Sequence, residues 1–161
     1  MTTSAPPRDS RARLRSAGLR ITEQRVTVLD ALAEFPHATA ERIAGYTRTR
    51  LGSVSTQAVY DVLNALVSGG LARRIEPAGS PAVFERRTGD NHHHLVCRTC
   101  RVIVDVDCAA GAAPCLNPSD PAGFVVDEAE VIYWGQCAQC RPGHEPSTPT
   151  ATRPTALEAT R

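Results

Sequence analysis

The sequence contains no lysine: all 18 of its basic residues are arginine. It has one methionine, one tryptophan and only 4% aromatic residues, so any core must be built mainly from Val, Leu, Ile and Ala. A length of 161 residues suits two small domains, each needing a metal or a partner subunit to stay folded. No apolar run approaches the roughly 20 residues that span a bilayer, and Pro6, Pro7 and Arg8 stand where a secretory leader would be apolar. A cytoplasmic protein without a membrane partner is expected. At 42% hydrophobic and 22% charged, the chain is not wholly disordered either.

The net charge of +1 conceals an asymmetry. Residues 1–90 carry 13 arginines against 9 acids, whereas residues 91–141 carry 3 against 6. The first part is a candidate polyanion surface, since the planar guanidinium matches phosphate, although a GC-rich coding bias explains the arginines equally well. The second part is a candidate cation site. Six cysteines in such a chain read as metal ligands or redox thiols before they read as structural disulfides.

From Ser10 to about Leu71 the pattern is helical. Thr22 is a plausible N-cap for a helix ending near Pro36, Thr39 caps a second ending near Gly52, and Ser55 caps a third ended by Gly69 and Gly70. In the third, Val59, Leu63 and Leu66 share one face. Two strand-like runs follow, Leu71 to Glu76 and Ala82 to Arg86, joined by a Pro- and Gly-containing loop. Three helices and a two-stranded ribbon outline a winged helix-turn-helix. Near Thr88, Gly89 and Asp90 the composition turns Val-, Cys- and His-rich, which divides the chain into 1–90, 91–141 and a Pro-, Ser- and Thr-rich tail, 142–161, expected to be disordered. In the middle part Leu95 to Cys97, Val102 to Val106, Gly123 to Val126 and Val131 to Trp134 read as strands.

The strongest motif is Cys97-x-x-Cys100 with Cys137-x-x-Cys140. Two such turns supply four thiolates to a tetrahedral structural Zn²⁺, the rival being a pair of redox dithiols. Beside it stand His92, His93 and His94. On a strand His92 and His94 face one side and His93 the other, so the first two can join a carboxylate such as Asp105 or Asp107 around Fe²⁺, Mn²⁺ or Zn²⁺. A solvated surface cluster is the alternative. At the start of the third helix Ser55, Thr56, Gln57 and, one turn on, Tyr60 occupy the positions that meet base edges and backbone in a helix-turn-helix. Arg11, Arg13, Arg15 and Arg20, with Arg73 and Arg74 on the wing, are candidate phosphate contacts.

Four phrases together resemble the ferric uptake regulator (Fur) family across about residues 10–141: His37-Ala38-Thr39-Ala40-Glu41, the helix ending Val59-Tyr60-Asp61-Val62-Leu63, His92-His93-His94-Leu95-Val96-Cys97-Arg98-Thr99-Cys100, and the closing Cys pair after Tyr133-Trp134-Gly135. The details around His92 and Asp127 are similar to the actinobacterial FurA-type members. The resemblance implies an α+β fold: an N-terminal winged helix-turn-helix domain and a small C-terminal α/β dimerisation domain with a structural four-cysteine zinc site. It implies a homodimeric, metal-dependent repressor, not an enzyme, acting on a pseudo-palindromic double-stranded DNA operator. It also implies a regulatory Fe²⁺ or Mn²⁺ held by His37, Glu85, His92, His94 and Asp105; His37 and Glu85 enter through the resemblance alone.

Asp at 105, where many iron-sensing members have Glu, is a feature of the peroxide-sensing branch. The implied signal is H₂O₂ oxidising His37 or His92 beside iron, and the implied targets are an oxidative-stress gene such as a catalase-peroxidase and the protein's own gene. Asp61 departs from the Arg of many members, and residues 108–120 are Ala- and Pro-rich where relatives carry an amphipathic helix. Glu85 requires a one-residue insertion before His92. A third metal site of the kind described for some relatives is not clear in the sequence. Cys108 and Cys115 are additional thiols, each a small buried hydrophobe or a partner in a reversible disulfide. The rival functions are an iron- or zinc-supply repressor, a thiol-based redox regulator, and a metalloenzyme, for which no His-Glu-x-x-His or phosphate loop is present.

Overall fold

The computed structural model describes residues 9–87, 89, 92–108 and 115–142. The expected tail beyond residue 142 and residues 88, 90 and 91, at the expected boundary between the two parts, lie outside the described residues. Four helices open the chain: α1 (Ser10–Ser16), α2 (Glu23–Glu34), α3 (Ala40–Leu51) and α4 (Thr56–Ser68). The short α1 is one more than the three expected. It is capped by Asp9 and is nearly without apolar period, its one large apolar side chain, Leu14, being buried.

The other three start where short polar side chains can satisfy a free backbone N–H. Thr22, Thr39 and Ser55 accept from Arg25, Arg42 and Ala58 at 3.2, 3.4 and 3.1 Å. Each such cap contributes about 1 kcal/mol. Leu14, Val28, Leu29, Leu32, Ile43, Val59, Leu63 and Leu66 lock the four helices into one apolar core, joined by Phe84 from the first sheet. That sheet has the order β1 (Ala38–Thr39), β3 (Val83–Arg86), β2 (Ala72–Ile75), all antiparallel. The expected hairpin is present, with β1 as an added third strand too short to show an alternation.

The second sheet has the order β5 (Ile103–Asp107), β4 (His92–Cys97), β6 (Ile132–Gly135), with β4 antiparallel to β5 and parallel to β6. Among the described residues this part adds only a short 3-10 turn, Ala138–Cys140. The strand expected over Gly123 to Val126 is not formed: Phe124 is 77% and Val125 95% exposed, and no strand among the described residues pairs with this segment. No helix of the described residues is long and apolar enough to cross a membrane.

Candidate metal centres and nucleic-acid interface

Strand register assembles the first centre. Ala38 of β1 pairs with Phe84 of β3, which brings His37, one residue earlier, beside Glu85, one residue later. His94 of β4 pairs with Asp105 of β5. The two sheets meet at these residues. Glu85 Oε2 lies 3.0 Å from His37 Nε2 and 3.2 Å from His94 Nε2, while its Oε1 lies 3.1 Å from His92 Nε2. Asp105 Oδ1 lies 2.8 Å from His37 Nε2 and 3.7 Å from His94 Nε2. Four of the five side chains expected to hold the regulatory metal, His37, Glu85, His94 and Asp105, present ligand atoms within 4.8 Å of one another, and His92 stands beside them on the other oxygen of Glu85. A cleft of about 250 Å³ lined by Glu85, His92, Asp105 and Asp107 opens beside them.

His37 sits in the left-handed region, at φ 56°, in the turn that Pro36 begins. A non-glycine residue there costs on the order of 1 kcal/mol or more, and the cost is accepted where the side chain is needed in one place. Burial pushes against ionisation of Glu85, but hydrogen bonds from His37 and His94 and the charges of His94 and His92 outweigh it and hold its carboxyl well below the usual carboxylate range. His37 Nε2 is buried between two carboxylate oxygens, 3.0 Å from Glu85 Oε2 and 2.8 Å from Asp105 Oδ1. The imidazoles of His37 and His94 and the carboxylates of Glu85 and Asp105, with the His92 imidazole next to Glu85, fit a divalent cation of intermediate hardness.

The second centre is built on two tight turns. Cys97 ends β4, and its carbonyl accepts from Arg101, itself in the left-handed region at φ 63°, so the chain doubles back and carries Cys100 next to Cys97. Gly135 of β6 pairs with Cys97, and the chain then turns through Cys137 into the 3-10 turn that presents Cys140. The four sulfurs lie within 4.8 Å of one another, and Cys100 and Cys137 are 3.7 Å apart. With zinc–sulfur bonds of about 2.3 Å, a tetrahedral edge is roughly 3.8 Å. Backbone N–H groups, that of Cys137 foremost, draw the Cys97 thiol down to about 5, while hydrogen bonding to Cys137 and Cys100 pushes Cys140 up to about 12. Four thiolates need a cation to coexist, and zinc fits this set.

The expected DNA-facing residues fare unevenly. Ser55 and Gln57 are exposed and Thr56 and Tyr60 half-buried, at the start of α4. The Ser55 hydroxyl accepts from its own helix, Gln57 donates to Asp61 at 3.0 Å, and Tyr60 donates to Glu41 at 3.4 Å. Arg15 and Arg20 remain exposed. Arg11 is paired with Glu23 and Arg74 with Glu76, Arg13 donates to the Arg87 carbonyl at 2.7 Å, and Arg73 is largely buried against Glu128 at 2.9 Å and Glu85 at 3.7 Å. Arg73 is thus a tie between the wing and the segment before β6 rather than a phosphate contact. Cys115 and Cys108, the additional thiols, lie at His93 on the far face of β4.

Residues 16–113 match the ferric uptake regulator family. The transcriptional regulator FurA of Mycobacterium tuberculosis is 59% identical over 132 residues, covering 82% of this chain and 90% of the relative. Ferric uptake regulation protein 1 of Mycolicibacterium fortuitum is 56% identical over 128 residues, covering 80% of each. The structure of the ferric uptake regulator from Pseudomonas aeruginosa with manganese superposes with a TM-score of 0.61 at 25% identity, covering 80% of this chain and 98% of that one.

Proposed function

Because the chain belongs to the ferric uptake regulator family, it is a metal-dependent transcriptional regulator, and we propose that it is a repressor whose grip on DNA is set by a cation held between its two halves and released by peroxide. In this reading residues 1–90 form the DNA-binding domain, 91–141 the metal-binding dimerisation domain and 142–161 a tail. Cys97, Cys100, Cys137 and Cys140 hold structural Zn²⁺. His37, Glu85, His92, His94 and Asp105 hold regulatory Fe²⁺ or Mn²⁺, and Ser55, Thr56, Gln57, Tyr60, Arg15 and Arg20 face the operator. Bound there, iron(II) supplies peroxide activation next to imidazoles, which manganese does not.

The observation that carries the reading is Glu85, a residue of the wing whose two oxygens reach His37 on one side and His92 and His94 of the second sheet on the other. Drawing these side chains onto one point fixes the attitude of the helices to the second sheet. In a homodimer, the two copies of α4 are then held at one separation, as two half-sites of a pseudo-palindrome require. The closed arrangement gains only the difference between its affinity for the cation and that of the open one, and DNA raises cation affinity by the same factor. The exposed apolar side chains Leu95, Val102, Val104, Phe124, Val125 and Tyr133 support burial against a second copy. When H₂O₂ adds one oxygen to an imidazole carbon of His37 or His92 and the other oxygen leaves as water, that ring ceases to be a good donor and the two halves part. The proposed targets are an oxidative-stress gene such as a catalase-peroxidase and the protein's own gene.

Gel shifts on the DNA upstream of its own gene test this. Binding is expected with Fe²⁺ or Mn²⁺, and its loss after H₂O₂ only in the Fe²⁺ form, with one added oxygen on the peptide holding His37 or His92 in mass spectra. DNA release with both histidines unmodified would reject the peroxide step. Binding that follows metal supply and ignores peroxide would mark an iron- or zinc-supply repressor instead. Alanine at Cys108 and Cys115 is expected to leave the peroxide response intact; its loss would mark a thiol-based redox regulator.

A further inference from the structure

β4 carries three consecutive histidines, and the middle one takes no part in the clasp around Glu85. His93 points to the opposite face of the strand, where it is 4% exposed and its ring stands edge-on to that of Tyr133 at 6.3 Å between centroids. Its Nε2 lies 3.1 Å from Cys115 Sγ. Cys108, the residue directly after β5, completes a group whose three ligand atoms all lie within 4.8 Å of one another. We propose that His93, Cys108 and Cys115 form a third metal site, taking a borderline-to-soft cation such as Zn²⁺ with a fourth position left for water or an exogenous ligand.

The donor set favours a metal over a bare pair of thiols. A disulfide would need only the two sulfurs, whereas here a buried imidazole is aimed at one of them and the other lies close by. Zinc–sulfur bonds of about 2.3 Å and zinc–nitrogen bonds of about 2.0–2.1 Å place tetrahedral donors roughly 3.5–3.8 Å apart, so these atoms need to move by only about half an ångström or so. Three protein ligands with one open position is also a coordination number that zinc adopts. The two sites outside the four-cysteine centre then sort cations by softness: imidazole and carboxylate for Fe²⁺ or Mn²⁺, thiolate and imidazole for Zn²⁺. They share one strand back to back.

The test is a zinc count on the full chain, isolated under reductant without oxygen and desalted after loading. The Cys108→Ser, Cys115→Ser variant is expected to hold one zinc ion fewer per chain than the parent, while the His37→Ala, His92→Ala variant keeps that ion. Equal counts for the parent and the thiol variant overturn the proposal, as does a Cys108–Cys115 disulfide in the freshly isolated parent. Should the thiol variant misfold, Co²⁺ added to parent chain with zinc retained in the four-cysteine site gives an independent readout. Sulfur-to-cobalt charge-transfer absorption is expected, because the clasp around Glu85 contains no sulfur; its absence overturns the site. DNA binding that proved indifferent to metal would sink the repressor mechanism proposed above and leave this count unchanged.

Discussion

Between Ser10 and Arg86 the chain is held by hydrocarbon, and beyond His92 by donors. The first region buries Leu14, Leu29, Leu32, Ile43, Leu63, Leu66, Ile75 and Phe84 almost completely. Among the described residues of the second, those buried are Val96, Cys97, His93 and His94, while Leu95, Val102, Val104, Phe124, Val125 and Tyr133 remain on the surface. A two-layer helical core can close by burying apolar area at about 25 cal/mol of stabilisation per Å². A three-stranded sheet whose described residues bury so little hydrocarbon cannot, and ligand bonds take over that role. Stability in the first region is therefore always present, whereas in the second it depends on what is bound. For the repressor proposed above, that division would let the helical part keep its shape while the part that positions it responds.

The largest expected effect breaks the second region alone. Cys97→Ser with Cys137→Ser removes one thiolate from each turn, and a structural zinc site contributes on the order of 10 kcal/mol. Amide exchange is expected to lose protection across β4, β5 and β6, with helices α2 to α4 still protected. Simultaneous collapse of both regions would show that the helical core leans on the metal. The converse substitution, Leu63→Ala, removes a fully buried side chain from the helical core. It is expected to cost about 2–5 kcal/mol in thermal or urea unfolding and to leave the zinc content unchanged.

A third change sits where the regions meet. Glu85→Gln keeps the shape of the side chain that touches His37, His92 and His94 but removes its charge. Even outer partners of metal ligands are worth about 10–100-fold in affinity, so Mn²⁺ binding by titration calorimetry is expected to weaken by at least that factor, with metal-dependent DNA binding falling in parallel. Zinc in the four-cysteine site is expected to stay. Unaltered Mn²⁺ affinity would remove Glu85 from the clasp.

What was legible in the sequence divides along the same line. Thr22, Thr39 and Ser55 announce their helices because capping is a local hydrogen bond between residues three apart. The two Cys-x-x-Cys turns are equally local. His37 and Glu85 are not: they meet because a two-residue strand pairs with β3, an element too short to leave a pattern, and only the resemblance to a family pointed to them. Arg73 was misleading for the opposite reason. Its alternation on β2 suggests an exposed charge, but Glu85 opposite it and Glu128, 55 residues away, turn it inward. Gly123 to Val126 carries strand-like composition without a strand because pairing partners are supplied by tertiary or quaternary structure rather than by propensity.

The smallest expected effect concerns the surface of the more rigid region. Gln57 and Asp61 are one helical turn apart, and the Gln57 amide donates to the Asp61 carboxylate at 3.0 Å. Such a pair contributes only about 0.2–0.5 kcal/mol to the helix, so Asp61→Ala is expected to leave thermal stability within that range. DNA binding responds differently. A carboxylate next to phosphate is repelled, and its hydrogen bond occupies an amide that could otherwise bond adenine on two atoms. Asp61→Ala is therefore expected to tighten binding a few-fold at low salt, with the gain shrinking as salt rises. It is also expected to sharpen preference at the base pair Gln57 meets, read by competition between duplexes differing only there. If affinity and preference both stayed unchanged while Gln57→Ala weakened binding, Gln57 would be reaching the duplex with its bond to Asp61 intact, and the pair would act as one preorganised reader.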